Sequence, residues 1–340
     1  MGYIKQHILH PLKMKWYDLQ IVFGGAWRLF CRQQNAMERK MLREHYNDTA
    51  YTTDKAIVFT CNGWMWHGGL ADRLKGIISI YTWCKDHNRV FKINFCDPFR
   101  LQDYLVPNEV EWLPTDVVYN KNCSIPKVCM MEPRTCAKNV LPQKDRKMLS
   151  WLEQNLTVEN RQIHIYTNLQ RSDVQFSKRF HELFRPCDRL RQAIRYHQAE
   201  IDGRYISISF RFTTLLGDFE DCTGSPLPEE ERAALIEKCV TAIAKIRAKA
   251  PMHKHVLVTA DSPTFLKRVE GLPDVYVVQG QVGHIDYQHS DAVNMKTFLD
   301  FFLISKAEKV YLARTGQMYR SAFAKTASLV ENKPFEEYVF

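Results

Sequence analysis

The sequence predicts an α/β protein in two consecutive halves, each built on a parallel sheet. Three observations carry that expectation. A β-branched apolar run, KAIVFTC at residues 55–61, leads through a glycine-containing loop into a segment with helical periodicity. From residue 204 onward, short apolar runs alternate with helix-length amphipathic segments, the pattern of right-handed strand-helix-strand crossovers. The punctuation between them is that of helix ends: Ser262 stands at an N-cap position with Pro263 after it, and residues 228–250 begin acidic and end basic.

Taken in order, residues 1–48 form an N-terminal amphipathic segment. Ile4, Ile8, Leu12, Trp16, Leu19, Val22, Phe23, Trp27 and Phe30 alternate with Lys5, Lys13, Lys15, Arg28 and Arg32, broken by Pro11, Gly24 and Gly25. Two readings stay open, a segment lying in a membrane interface and a helical arm packed on the adjoining domain.

The first α/β half spans 49–195. After the 55–61 strand, Leu70, Leu74, Ile77, Ile78, Tyr81 and Cys84 mark one face of a helix. RVFKINF (89–95) reads as a strand and DPFRLQDYL after it as a short helix. Val117–Tyr119 and Gln162–Thr167 read as strands, FSKRFHELFR (176–185) as a helix, and Pro114 to Pro142 as irregular.

The second half spans 196–340. Its expected order is strand 204–210, helix 228–250, strand 255–261, a helix from Pro263, strand 275–280, helix 294–307, strand 308–313 and helix 317–330.

Composition narrows the function classes. The chain has 340 residues, 45% of them hydrophobic, and a formal charge of +9, which favours anionic partners. Lys and Arg are spread along the chain without a zinc-finger, RNA-recognition or basic-zipper pattern, so nucleic acid is not an expected partner. Ten cysteines occur with no CxxC pair, and several fall in apolar runs, as expected of buried reduced thiols in a cytoplasmic protein. Cys123, Cys129 and Cys136 lie near one another but lack a fourth ligand, so no metal site is expected. Sequons at Asn47, Asn122 and Asn155 keep a Golgi or ER lumen open as the alternative location. No apolar run reaches the ~18 residues of a spanning helix, so membrane association, if any, is expected to be peripheral.

Trp64 to Gly76, WMWHGGLADRLKG, is the stretch richest in chemistry. A strand-to-helix turn offers free N–H groups and the positive end of a helix dipole to an anion, and Arg73 adds a fork of donors. Asp72 reads equally as a helix cap, and Arg73 as a surface ion-pair partner.

Four segments in chain order resemble the GT-B fucosyltransferase superfamily, which includes α-1,2, α-1,6 and protein O-fucosyltransferases. GGLADRLKGI (68–77) is similar to its glycine-rich G-x-x-[DN]-R loop, and SISFRFTTLLGDF (207–219) to its H-x-R-x-G-D motif. VLVTADSPTFLKRV (256–269) resembles its strand ending in T-D with the helix after it. LDFFLISKAEKVYLARTG and SAFAKTASL, within Asp291 to Val330, are similar to its D-x-x-x-L-S-x-x-D and S-x-F-S-x-x-A elements. Ser209 stands in place of the family's histidine, and Gly217 and Asp218 are farther from Arg211 than the family spacing.

The resemblance implies a GT-B-like fold, two Rossmann-like domains facing a cleft, with 49–195 on the acceptor side and 196–340 binding the nucleotide sugar. It implies an inverting glycosyltransferase that moves L-fucose from GDP-fucose to a glycan, with the GDP-sugar as co-substrate and no separate cofactor or metal. Donor contacts are expected from Gly69, Arg73, Arg211, Asp261 and Ser321. Arg211 would stabilise the leaving diphosphate, and Asp261 would accept from guanine N1 and N2. Asp72, or else His67, would serve as base. Structural roles stay open for each: an ion pair for Arg211, an N-cap for Asp261, an ordinary helix start for Ser321, and a buried structural carboxylate for Asp300. Another nucleotide sugar, or a non-catalytic nucleotide- or glycan-binding protein of the same fold, is the alternative.

Overall fold

The computed structural model describes residues 25–130, 144–157, 160–171, 175–221, 225–286 and 290–340. They fall into two compact units, one from Met1–His67, Lys75–Asn94 and Trp112–Val174, the other from Gly68–Leu74, Phe95–Glu111 and Gln175–Phe340. The first 24 residues of the amphipathic segment, residues 131–143 with Cys136, and Cys222 lie outside the described residues.

The first unit contains a four-stranded sheet made of β1 (Ile57–Cys61), β2 (Phe91–Phe95), β4 (Ser124–Cys129) and β5 (Gln162–Thr167), in the order β2-β1-β5-β4. β1 and β4 both run parallel to β5, and every residue of β1 and β5 is buried, as a sheet covered on both faces requires. α2 (Leu70–Asp86) follows β1 and approaches the sheet closely at Gly76. A Cβ there would lie 2.6 Å from the Thr167 carbonyl oxygen and 3.1 Å from the Phe59 ring.

β4 runs through the stretch expected to be irregular. Its Pro126 sits on an edge strand, where a missing N–H is tolerated. Val117–Tyr119, expected as a strand, is irregular because side chains take its donors: the Gln162 side chain accepts from Val118 N–H and Asp48 from Tyr119 N–H.

α1 (Ala26–His45) packs on β4, and of the two readings of the N-terminal segment the packed arm holds for these residues. Gln34 accepts the Met130 N–H and Glu38 accepts the Val128 N–H, both at 2.9 Å. An exposed edge strand is thereby covered and its donors satisfied. Burial pushes the Glu38 carboxyl above the usual range, opposed by the Val128 N–H and by Lys127. α3 (Lys144–Leu156) was not expected; it buries Met148, Trp151, Leu152 and Leu156 at helical spacing.

The second unit holds a five-stranded, all-parallel sheet: β7 (Tyr205–Ser209), β8 (His255–Thr259), β9 (Val275–Tyr276), β10 (Lys309–Arg314) and β11 (Phe335–Val339), in the order β11-β10-β7-β8-β9. Ile206 and Ile208 of β7 face a core shared with α6 (Glu229–Ala248) and α7 (Pro263–Glu270), through Leu235, Ile243 and Phe265. Tyr205 points to the opposite face and donates to Leu303 of α8 (Asp291–Lys306) at 2.7 Å. α8 is apolar nearly all round, and correspondingly Phe298 through Ile304 are all buried. Asp300, one of these, pairs with Lys296 one turn earlier in the same helix, the structural carboxylate among the two readings.

DPFRLQDYL forms only a 3₁₀ turn, Leu101–Asp103, leading to β3 (Leu105–Pro107), which pairs antiparallel with β6 (Phe184–Pro186). α4 (Phe176–Leu183) ends where β6 begins, and α5 (Asp188–Ile201) follows. The helix expected over 317–330 begins only at Phe323, as α9 (Phe323–Val330). β11 carries no apolar strand pattern because its central residues, Glu336 and Glu337, are charged; Lys309 pairs with the first and Arg314 and Arg320 with the second. Such charges suit an edge strand. No helix among the described residues is long and apolar enough to cross a membrane.

Candidate functional site

In the five-stranded sheet the chain leaves β7 toward β8 and β9 on one side and returns as β10 and β11 on the other. Crevices at the carboxyl ends of strands at such a reversal are where open α/β sheets bind ligands. Two loops leave there, one after Ser209 and one after Arg314.

Arg211 stands in the first loop with its side chain 22% exposed. Its Nη2 donates to Asp221 at 2.7 Å, its Nη1 lies 3.2 Å from an Asp261 oxygen, and the guanidinium is 4.6 Å from the centre of the Phe219 ring. Two carboxylates and an aromatic face thus fix the plane of a cation that still reaches solvent.

Asp261, just past β8, is 5% exposed. One oxygen accepts the Phe212 N–H at 2.8 Å and the other the Thr213 N–H at 2.7 Å. Thr213 has φ +55°, so the carboxylate holds a left-handed residue in the loop that carries Arg211. Burial raises the Asp261 pKa, opposed by Arg211 and by the two N–H groups. The carboxylate expected to read a guanine edge is therefore committed to shaping the Arg211 loop. The N-cap role belongs to its neighbour: Ser262 accepts from Phe265 N–H at 3.1 Å and donates to Asp218 at 2.7 Å.

The second loop begins with a tight turn, Met318 N–H to Thr315 oxygen at 3.3 Å, anchored by buried Met318. The Tyr319 N–H then donates to the Arg211 carbonyl at 3.2 Å, so the two loops touch backbone to backbone. Ser321 accepts from Phe323 N–H at 3.2 Å at the start of α9, beside Tyr319 and on the same loop. Arg211, Asp261 and Ser321 are thus brought to one end of one sheet.

Gly68–Leu74 belongs to this same unit. Arg73, 3% exposed, donates from Nε to the Gly68 oxygen at 2.8 Å and from Nη1 to the Asp97 oxygen at 3.2 Å, and pairs with Asp286. Its guanidinium also lies 5.3 Å from the centre of the Phe95 ring. With those contacts Arg73 holds the glycine turn in shape. Gly69 supplies the carbonyl that accepts from Asp72 and Arg73 N–H, and a Cβ there would stand in open space. At Gly68, φ is +78° and a Cβ would lie 2.8 Å from an Asp72 carboxylate oxygen, so glycine lets Asp72 fold back over the turn.

His284 joins the two arginine groups. Burial lowers its pKa, Arg211 and Arg73 add to the depression, and Asp286 and Asp221 oppose it. Its Nδ1 accepts the Asp286 N–H at 3.2 Å, and its ring centre lies 6.2 Å from that of Phe219. His67, by contrast, is fully buried in the first unit, with Nδ1 at 2.9 Å from the Met65 oxygen and its ring against Phe59 and Tyr166. Of the two expected bases only Asp72 is partly exposed.

Asp221, Asp286, His284 and Tyr319 were not singled out from the sequence. The signal available was weak: QVGHID is a short polar loop between β9 and α8, and nothing in it announces a partner in residues 68–74.

No protein-family model and no curated protein matches the sequence. Solved structures do match by fold. Fucosyltransferase NodZ from Bradyrhizobium superposes with a TM-score of 0.51 at 18% identity, over 82% of this chain and 93% of that one. The NodZ α-1,6-fucosyltransferase soaked with GDP-fucose gives 0.50 at 18% identity over the same shares. POFUT1 in complex with GDP aligns over 86% of this chain and 99% of its own, at 12% identity and a TM-score of 0.47.

The chain has the fold of a GT-B fucosyltransferase.

Within this fold, the described residues contain no group of three or more His, Cys, Asp or Glu side chains placed to hold a metal ion. The charged groups at the carboxyl ends of β7 and β8 include a guanidinium and its two carboxylates, with Asp218 beside Ser262.

Proposed function

We propose that this protein is a glycosyltransferase that transfers L-fucose from GDP-fucose to a glycan acceptor with inversion. The observation that carries the reading is Arg211, a partly exposed guanidinium locked by Asp221 and Asp261 at the chain reversal of the five-stranded sheet. A diphosphate leaving group develops negative charge on its oxygens, and a cation already fixed in place stabilises that charge without reorganising.

In the proposed step the acceptor oxygen forms a bond to fucose C1 as the bond from C1 to the β-phosphate oxygen breaks. The electron pair leaves with GDP, and the acceptor's proton passes to a base. Asp72, partly exposed at the start of α2, is the base we assign. Arg211 faces the diphosphate, with Ser321 beside it on the loop that touches Arg211. Guanidinium charge fills the role a divalent ion plays in other transferases, so turnover is proposed to need no metal.

The test is direct. Purified protein with GDP-fucose and a panel of oligosaccharides should release GDP only when an acceptor is present, undiminished by EDTA. GDP should also raise the melting temperature by mass action, and more than UDP or ADP does. No stabilisation by any nucleoside diphosphate would overturn the reading. Stabilisation by GDP without turnover on any acceptor would favour the non-catalytic binding protein, and stronger stabilisation by UDP another nucleotide sugar.

A further inference from the structure

We infer that Tyr319 is the platform on which the nucleobase of the donor stacks, an inference that rests on the nucleoside diphosphate site proposed above. Five observations lead to it.

Tyr319 is 54% exposed, although its neighbour Met318 is 3% exposed. It lies in the loop leaving β10, at the reversal of strand order, where this class of sheet binds its ligands. Its backbone is joined to that of Arg211 through the 3.2 Å bond from Tyr319 N–H to the Arg211 oxygen, so the residue that carries the ring adjoins the residue proposed to face the diphosphate. The loop is also shaped before any ligand arrives: the Thr315–Met318 turn closes it on one side and the Ser321–Phe323 bond on the other. A preordered ring loses little freedom on binding a planar base.

The fifth observation concerns Asp261. Both oxygens of Asp261 accept backbone N–H groups and one also lies 3.2 Å from Arg211, so this carboxylate is engaged mainly within the Arg211 loop. A face-on contact with an aromatic ring needs no such acceptor, because every base presents a π-face. The base is held by its face, which favours the larger purine surface of GDP over the pyrimidine of UDP.

The test is a calorimetric comparison of GDP and inorganic pyrophosphate. Base-aromatic stacking supports a change of roughly 5- to 150-fold in affinity. Tyr319→Ala should weaken GDP binding by at least ~10-fold while leaving pyrophosphate binding within about twofold, and Tyr319→Phe should keep GDP affinity near the unmodified value. GDP should bind the unmodified protein more tightly than UDP by a ratio that falls in Tyr319→Ala. If the unmodified protein binds neither GDP nor pyrophosphate, the underlying nucleotide site fails. If it binds GDP but Tyr319→Ala binds GDP equally well, the nucleotide site stands and the Tyr319 assignment fails. A Tyr319→Ala protein that loses GDP and pyrophosphate together also refutes it, since the residue would then act on loop shape rather than on the base.

Discussion

Replacing Asp261 by asparagine should cost stability more than nucleotide selectivity. The substitution keeps size and shape but turns one acceptor oxygen into an NH₂ donor. Both oxygens now accept backbone N–H groups, from Phe212 at 2.8 Å and Thr213 at 2.7 Å, so in either amide orientation one N–H meets a donor. Losing one bond to a charged acceptor costs about 1.5–3 kcal/mol, and leaving a buried N–H unsatisfied about 1–3 kcal/mol. These overlap and should not be summed, and the Arg211 pairing at 3.2 Å weakens as well, while Asp221 still pairs with Arg211 at 2.7 Å. A loss of about 3 kcal/mol is the reasonable total. A unit of this size shifts its melting temperature by about 2–4 °C per kcal/mol, so Asp261→Asn should melt ~6–12 °C lower. Differential scanning calorimetry at pH 7 measures this. A shift under ~2 °C, together with a GDP-specific loss of affinity against UDP and ADP, would show that the carboxylate reads the base and that its bonds to the Arg211 loop are dispensable.

Three further outcomes are expected. Arg211→Lys should lose on the order of 100-fold in turnover with GDP-fucose, because an ammonium keeps the charge but not the fork that two carboxylates orient, and steady-state assays of GDP release would show it; Arg211→Ala is a poorer probe, since it leaves buried Asp221 and Asp261 without their cation. Gly76→Ala should destabilise the protein by about 1–3 kcal/mol in urea titration, since its Cβ would lie 2.6 Å from the Thr167 carbonyl oxygen, a backbone atom that cannot swing aside. His181, 3.7 Å from Glu331, has its pKa raised chiefly by that carboxylate, so its contribution is fully present below about pH 6.5 and is lost as pH rises through the raised value; the melting difference between unmodified protein and His181→Gln should be larger at pH 5.5 than at pH 8.5.

The elements legible in the sequence were those whose signal is local. β5 was read at its observed bounds, Gln162–Thr167, because Ile163, Ile165, Tyr166 and Thr167 are β-branched or aromatic residues that favour a strand. Ser262 and Pro263 marked the start of α7 because capping is chemistry between residues three apart. The misses included two edge strands. β4 carries Pro126 and β11 carries Glu336 and Glu337, residues that forbid a central strand and are tolerated only where one side has no neighbour. Whether a strand lies at an edge is a property of the assembled sheet.

The sequence by itself determined the alternation of strand and helix, the glycine turn at residues 68–69, and the placing of Arg211, Asp261 and Ser321 after successive elements of one half. Tertiary structure alone decided which charges are available to a ligand. Arg73 and Arg211 are the same residue type at comparable strand-to-helix junctions, yet Arg73 is 3% exposed and held by Gly68, Asp97 and Asp286, whereas Arg211 remains 22% exposed beside Asp221 and Asp261. Asp286 stands 213 residues from Arg73 along the chain, and Asp261 lies 49 and 48 residues from the N–H groups of Phe212 and Thr213 that occupy its oxygens. A side chain's intrinsic charge is written in its identity, but its desolvation and its partners arise only when distant segments fold against one another, and those two quantities separate a binding group from a structural one.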